Sequence, residues 1–377
     1  MMFGNDWLST ILGWLILLVF IFLYPKIMLS QILMKLEQSA RNMEMLSKKA
    51  RRVIMKKIGK SGKTVEQRLL DAQNFVVLEP SSLDPFGIVK KIDQIVRGME
   101  RKLDEMVNTL AGEKTRKEKR EINYAIRAAI GVHTIAKLVR HYVELVKKFK
   151  NFQLALLLQM QLPQIESIAK SELAGVEAFA KGIPIGDGIG PLVAASLMKG
   201  RVKRISEDVV GCERMLEGRK TIIIKASGPE PSLGRVDEAI AKIVKKYSVA
   251  KVITIDAAMK LEGEKNGEVA SGVGFAMGGY MRELIENILL PKKIPVEAII
   301  VKVGAEESIM PMKQEIANAL PEVVRRIRES IRKTKKKGII LVAGIGNSCG
   351  VGNNQRSAEE SIALIKKLAR KQKKEKK

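Results

Sequence analysis

The chain has 377 residues, 46% of them apolar and only 12 of them proline, which excludes a mostly disordered protein and leaves room for roughly two or three folded units. Sixty-seven Lys and Arg against 41 Asp and Glu give a formal charge of +26, which favours an anionic partner: lipid headgroups, RNA or a ribosome, or an acidic protein. The two cysteines, Cys212 and Cys349, lie far apart and make neither a CxxC pair nor a disulfide framework, so the body is expected to be reduced and cytosolic, without structural zinc.

From Trp7 to Tyr24 the sequence carries no charge over 18 residues, enough for a helix of roughly 27 Å, close to the hydrocarbon thickness of a bilayer. Trp7 and Tyr24 stand at its two ends, where amphipathic rings favour headgroups, and Pro25 is expected to close the segment. No basic stretch precedes it and no small-x-small site follows it, so an uncleaved anchor is expected rather than a signal peptide. Asp6 is the one charge before the helix, whereas residues 26–63 hold eleven Lys or Arg and two Glu. Positive flanks stay inside, which puts the N-terminus outside the cell membrane and the body in the cytoplasm, drawn to anionic headgroups.

Beyond the anchor, Leu29, Leu33, Leu36, Ala40, Met43, Ala50 and Ile54 keep a four-three spacing, interrupted by Ser47, that predicts a helix burying one seam. A homo-oligomeric coiled coil and an intrachain helical hairpin fit this seam equally. A break follows at Gly59 to Gly62, then a short extended piece at Phe75 to Leu78, with Pro80 and Pro85 excluding a helix between them. A helix from near Pro85 through Leu110, a charged turn at Glu113 to Lys119, and a third helix from Ile122 to Val146 make an antiparallel hairpin over 86–149. His133 and His141 lie on that third helix with no ligand partner at metal spacing and are expected to pack. The apolar run Phe149 to Leu162, ended by Pro163, is expected as a buried helix, with a dip into the membrane interface as the alternative.

From about residue 180 the pattern changes to short β-branched runs alternating with amphipathic helices. Thr221 to Ile224, Val252 to Ile255, Ala298 to Val303 and Ile339 to Ala343 predict buried strands. Helical patterns fall at Val236 to Tyr247, around Gly279 to Leu290 and at Met312 to Lys333, so a mostly parallel sheet is expected. Ligands in such sheets bind beyond the carboxyl ends of the strands. There the sequence sets Ser227-Gly228-Pro229, then Asp256, then Gly304 to Glu307, then a loop holding Gly344, Gly346, Asn347, Gly350, Gly352 and Asn353. A glycine-rich loop before a helix can cradle phosphate, yet this one lacks the P-loop lysine, and the loop around Gly272 and Gly274 is the second candidate for a ligand. Ser357 and Glu360 have the spacing of a capping box opening the last helix, and the Lys-rich tail, Lys366 to Lys377, reads most simply as a solvated extension.

The segment Gly186-Asp187-Gly188-Ile189-Gly190-Pro191-Leu192-Val193 resembles the Gly-Asp-x-x-Gly-Pro-Leu-Val motif of the spore germination proteases and, more loosely, the hydrogenase maturation peptidases. Val252 to Ala257 looks like that fold's strand ending in Asp-Ala, and Ser271-Gly272-Val273-Gly274 is similar to its Ser-Gly-x-Gly turn, so the resemblance covers residues 183–275. The whole chain resembles an uncharacterised archaeal membrane-protein family. The resemblance implies that Asp187 and Asp256 are a catalytic pair cleaving a protein substrate, without metal or other cofactor. Two departures are plain: the stretch before the first motif is a poor strand, broken by Gly182 and Pro184, and no histidine follows His141. Without the resemblance, Asp187 reads as a turn residue capping the helix that follows it, and Asp256 as a strand-end carboxylate met by loop amides.

The expected protein is therefore α/β in class: a transmembrane anchor (1–25), a basic helical hairpin or coiled-coil region (26–170), a mostly parallel α/β sandwich of peptidase-like kind (171–365) and the tail (366–377). Three functions follow from it: a membrane-tethered hydrolase using Asp187 and Asp256, a non-enzymatic scaffold recruiting RNA, a ribosome or an acidic partner, and a small-ligand sensor using the glycine loops.

Overall fold

An apolar stretch that runs directly into a heptad-spaced seam gives one unbroken helix, α1 (Asp6–Ile58), of 53 residues. The computed structural model describes residues 6–74 and 88–375. The extended piece expected at 75–78 and the proline break at 80–85 lie outside these residues, as does the side chain of Trp7. Pro25 does not end the helix. It removes one backbone hydrogen bond, and the flanking helix formers carry the chain through. Around it the large side chains from Ile11 to Ile27 are 46–66% exposed, and α1 is long and apolar enough to span a membrane.

From Ile32 onward the same helix is packed. Ile32, Leu36, Ala40 and Met43 bury against Val139, Val143 and Val146 of α4 (Arg116–Phe149) and Ala155, Leu158 and Leu162 of α5 (Phe152–Lys181). The seam is thus filled within the chain, by the intrachain alternative. Ser47, the apparent interruption, is buried with its hydroxyl 3.0 Å from His133 Nδ1, and His133 Nε2 lies 3.0 Å from Asn74 Oδ1. Two helices lie between α1 and α4: the short α2 (Lys63–Gln73), after the expected break at Gly59 and Gly62, and α3 (Ile88–Ala111), which forms the anticipated antiparallel hairpin with α4. The α4 start is capped reciprocally by Thr115 and Glu118. The second proline expected to stop a helix, Pro163, also lies inside one: α5 runs through residues 163 and 170–171 to Lys181, held by Leu158, Leu162 and Ala169, and ends where Gly182 takes φ 61.

After α5 come a single 3-10 turn at Gly186–Gly188 and α6 (Ile189–Leu197). The chain then forms β1 (Lys203–Ser206), β2 (Val209–Leu216), β3 (Arg219–Ala226), α7 (Val236–Lys246), β4 (Val249–Met259), β5 (Val269–Val273), α8 (Gly279–Leu289) and β6 (Val296–Val303). Short α9 (Ala305–Ile309) and α10 (Gln314–Ala317) lead to α11 (Leu320–Lys333), β7 (Ile339–Gly344) and α12 (Gln355–Glu375). The four strands expected from β-branched runs are β3, β4, β6 and β7, and they are the parallel centre of the sheet. Strands β1, β2 and β5 were not anticipated. They pair antiparallel at the edges and make the sheet mixed, in the order β1-β2-β3-β7-β4-β6-β5. Their sequences, with Gly211, Glu213 and Gly272 among them, lack the unbroken apolar run of a strand buried on both faces.

Alternation along the strands feeds two cores. Ile223, Ile253, Ile255, Ile299 and Val342 face α6, α10, α11 and α12, whereas Ile222, Ile224, Val252 and Leu341 face α7 and α8. The last strand, β7, lies between β3 and β4. Its chain leaves toward α12 on one face, while the chain leaving β3 passes to α7 on the other and that leaving β4 runs to the edge strand β5 before reaching α8. Such reversals open crevices at the carboxyl ends of strands. The base of the helical region covers them: Tyr124, Phe179, Ile185 and Cys349 share one core, and Arg235 at the start of α7 is held by Asp93 of α3 at 2.7 Å.

Two further expectations are corrected. The final helix is opened by Asn354 rather than Ser357: Asn354 Oδ1 accepts the Ser357 amide at 2.9 Å and Ser357 Oγ accepts the Asn354 amide at 3.1 Å. The tail continues that helix to Glu375, because Ala358 and Ile365 anchor its start in the core.

Candidate functional site

Pairing of β4 with β7 ends at Ile255 opposite Gly344, but pairing of β4 with β6 continues to Met259 opposite Val303. Asp256 is the first β4 residue past the end of β7. It therefore sits inside the strand, not in a loop after it, just beyond the last β4–β7 pairing. It is 6% exposed. Thr254, two residues earlier on the same face, has its hydroxyl buried without a partner among the described residues.

The Gly-Asp-x-x-Gly-Pro-Leu-Val segment delivers the second carboxylate to the same strand end. Asp187 occupies the 3-10 turn, and its Oδ2 accepts the Asn347 backbone N–H at 2.8 Å. It does not cap α6, whose N-cap is Gly188 without a side-chain bond. Glycine is what lets the turn come so close. A Cβ on Gly190 would stand 2.1 Å from the Ile345 carbonyl oxygen and 2.5 Å from that of Ile255, and one on Gly346, at φ 115, would stand 2.1 Å from the Asp187 carbonyl oxygen. Gly186 and Gly344 are equally tight, against the Glu307 and Gly190 carbonyls. The motif is thus stitched between the ends of β4 and β7, and Ile345 N–H donates to the Ile255 carbonyl at 2.8 Å to close the seam.

Burial raises the pKa of both carboxyls. Asp256 is pushed up to about 8, first by burial and then by the charge of Asp187, against the pull of the Ala257 amide. Asp187 is raised by burial and drawn back by the Asn347 amide. The charge of Asp187 acts on Asp256, so the two carboxyls form one electrostatic unit.

On the other side of β7 lies a group that the strand pattern conceals. Lys225, at the end of β3, is fully buried, and its Nζ donates to the Ala226 carbonyl at 2.7 Å and to Asn353 Oδ1 at 2.9 Å. Burial lowers its pKa to about 7. A lone lysine inside the run Thr221 to Ile224 and Ala226 was the available signal. Asn353 also accepts the Gly228 amide at 2.9 Å and donates to the Gly228 carbonyl at 2.7 Å, so its side chain joins the β3 and β7 loops.

The glycine loops divide. Gly350 and Gly352 meet Pro184 and Ser357, and with Gly344 and Gly346 their close approaches are filled by the chain itself. Asn347 Oδ1 accepts the Cys349 amide. Gly272 and Gly274 belong to the β5 edge, two strands from β4, with open space beside them; the Ser-Gly-x-Gly segment is largely strand rather than turn. The structure therefore brings together Asp187, Asp256, Gly190, Gly344, Gly346 and Asn347 and leaves Gly272 and Gly274 apart. Among the described residues no group of three or more His, Cys, Asp or Glu is placed to hold a metal ion.

Two family descriptions match this chain: the N-terminal domain of the protein of unknown function DUF1512 over residues 10–182, and the C-terminal domain of the same family over residues 185–352. The chain belongs to the DUF1512 family. Their junction coincides with the end of α5 at Gly182, just before the turn that carries Asp187. No curated protein and no solved structure matches the chain.

Proposed function

We propose that this DUF1512 protein is a membrane-tethered hydrolase of peptidase-like kind, in which Asp187 and Asp256 act as base and acid on a protein substrate at the cytoplasmic face of the cell membrane. The observation that carries the reading is the pair itself: a carboxyl raised to about 8 beside a second carboxylate at the reversal point of the sheet. At neutral pH Asp256 keeps its proton. Asp187, whose Oδ2 accepts the Asn347 amide and whose charge raises Asp256, takes the part of the base. In the reaction Asp187 takes a proton from water as that water attacks the substrate carbonyl, and Asp256 supplies one to the departing amine. The likeness of the two motifs to those of the germination proteases supports the same roles. The positive residues between 26 and 63 support an outward N-terminus.

Full-length protein in lipid nanodiscs is expected to cleave members of a peptide library. Asp187→Asn and Asp256→Asn should each lower turnover by about 10²-fold or more. Unchanged turnover in both variants would remove the proposal.

A second reading, a scaffold recruiting RNA or a ribosome, is favoured by one feature. The last helix exposes Lys366, Lys367 and Arg370 away from the core. RNA binding on that basis would weaken steeply between about 50 and 200 mM salt as counterions are released.

A further inference from the structure

The tip of the α4–α5 hairpin carries an apolar cluster that no neighbour covers among the described residues. Phe149 is 64%, Leu157 61% and Met160 68% exposed, and Leu156 is exposed beside them, although Ala155, Leu158 and Leu162 of the same helix are buried. The buried face satisfies the packing of α5 against α1, so packing among the described residues does not account for the outer face. The position of the tip along α1 is fixed by side-chain contacts. Ser39 bonds Glu166, 127 residues later, and Lys49 pairs with Glu177, so α5 runs parallel to α1 at a constant offset. On that register Phe152 stands level with Tyr24 and Pro25, where the exposed apolar part of α1 ends, and Leu157 stands about 7 Å further along the axis. Four exposed lysines lie on the flanking segments: Lys26 and Lys35 on α1, and Lys148 and Lys150 at the hairpin tip. Lys148 lies over the Phe149 ring at 5.4 Å, an apolar side chain and a cation side by side.

We infer that the α4–α5 tip is a second membrane contact: Phe149, Leu156 and Leu157 enter the interfacial region of the bilayer while Lys26, Lys35, Lys148 and Lys150 meet anionic headgroups. An apolar edge rimmed by lysine and placed at the depth where the anchor leaves the hydrocarbon is the chemistry of interfacial insertion. Held at two points, the helical region stands on the membrane rather than swinging from a single span. The inference depends on α1 spanning the bilayer and is independent of the hydrolase reading.

An environment-sensitive fluorophore on Leu157→Cys tests it in the full chain reconstituted into vesicles of phosphatidylcholine with phosphatidylglycerol. The native Cys212 and Cys349 are both buried. Blue-shifted emission and quenching by a lipid-borne nitroxide are expected at position 157, with neither at a control label on Arg356→Cys of α12. Replacing phosphatidylglycerol by phosphatidylcholine should reduce the lipid quenching, and Lys148→Glu with Lys150→Glu should do the same while the melting temperature stays unchanged. Emission quenched by aqueous iodide and untouched by the lipid nitroxide would overturn the inference. So would excimer emission between pyrene labels at position 157 without lipid quenching, which would assign the face to a second copy of the chain.

Discussion

The helical shaft and the carboxyl edge of the sheet treat charge in opposite ways. In the shaft, Arg140 pairs with Glu37 at 2.8 Å and Glu44 at 2.7 Å, and Lys147 pairs with Glu37 at 2.7 Å, so Glu37 is held down at about 2 by Lys147 and Arg140. At the sheet edge Asp256 has no cation paired with it among the described residues, and Lys225 is bonded to neutral oxygens. Paired surface charges favour a fold modestly, whereas isolated buried ones disfavour it. The shaft's charges therefore set helix register. The edge's ionisable groups are held away from their ordinary pKa values by burial, at a cost to stability that depends on pH.

The largest effect should come from the stitching between β4 and β7. Gly190→Val forces a side chain into two backbone oxygens and is expected to destabilise the α/β domain by more than about 4 kcal/mol, seen as loss of its cooperative thermal transition. A variant melting within a few degrees of the parent would show that the motif is not wedged there.

Next in size is the dependence on pH. Asp256 has its folded pKa raised from 3.8 to about 8. The folded protein thus keeps a proton that the unfolded chain releases, so this group's contribution is fully present below about pH 4 and is lost as pH rises toward 8. Asp256→Asn should flatten that fall, gaining on the order of a few kcal/mol over the parent at pH 8 relative to pH 4. Identical pH profiles for the two proteins would mean that the carboxyl is solvated, and the contrast with the shaft would vanish. Lys225 works in the reverse direction. Its folded pKa is lowered to about 7, so its stabilising contribution is complete at alkaline pH and disappears as pH falls from 10.5 through 7.

The smallest effect is expected in the shaft. Arg140→Met should cost about 1 kcal/mol, and less as salt is added, because Lys147 still answers Glu37 and the paired side chains are partly exposed. A loss several times larger would mean that the shaft's ion pairs are as costly to break as the edge's buried groups.

Much of this architecture was legible in the chain, and the misses share a cause. The β3, β4, β6 and β7 runs and the seam of α1 carry strong periodicity because each buries a whole face. The edge strands β1, β2 and β5 bury less, so their sequences are mixed and silent. Pro25 and Pro163 looked like stops because local rules count the lost hydrogen bond and not the long helical stretches on either side. At the site, Asp187 and Asp256 were marked by their motifs. Lys225 was not, since a strand pattern says which face a residue lies on but not which oxygens wait there.

By itself the sequence determined an apolar span, a helical seam, a central parallel sheet and two aspartates with glycines around them, because these follow from local periodicity and from the conformations that residue types allow. Only the tertiary structure decided that the seam closes on α4 and α5 of the same chain and that β7 inserts between β3 and β4. It also decided that the segment around Asp187 threads into the resulting gap beside Asp256. Those outcomes depend on which distant surfaces fit one another, and no local spacing encodes that fit.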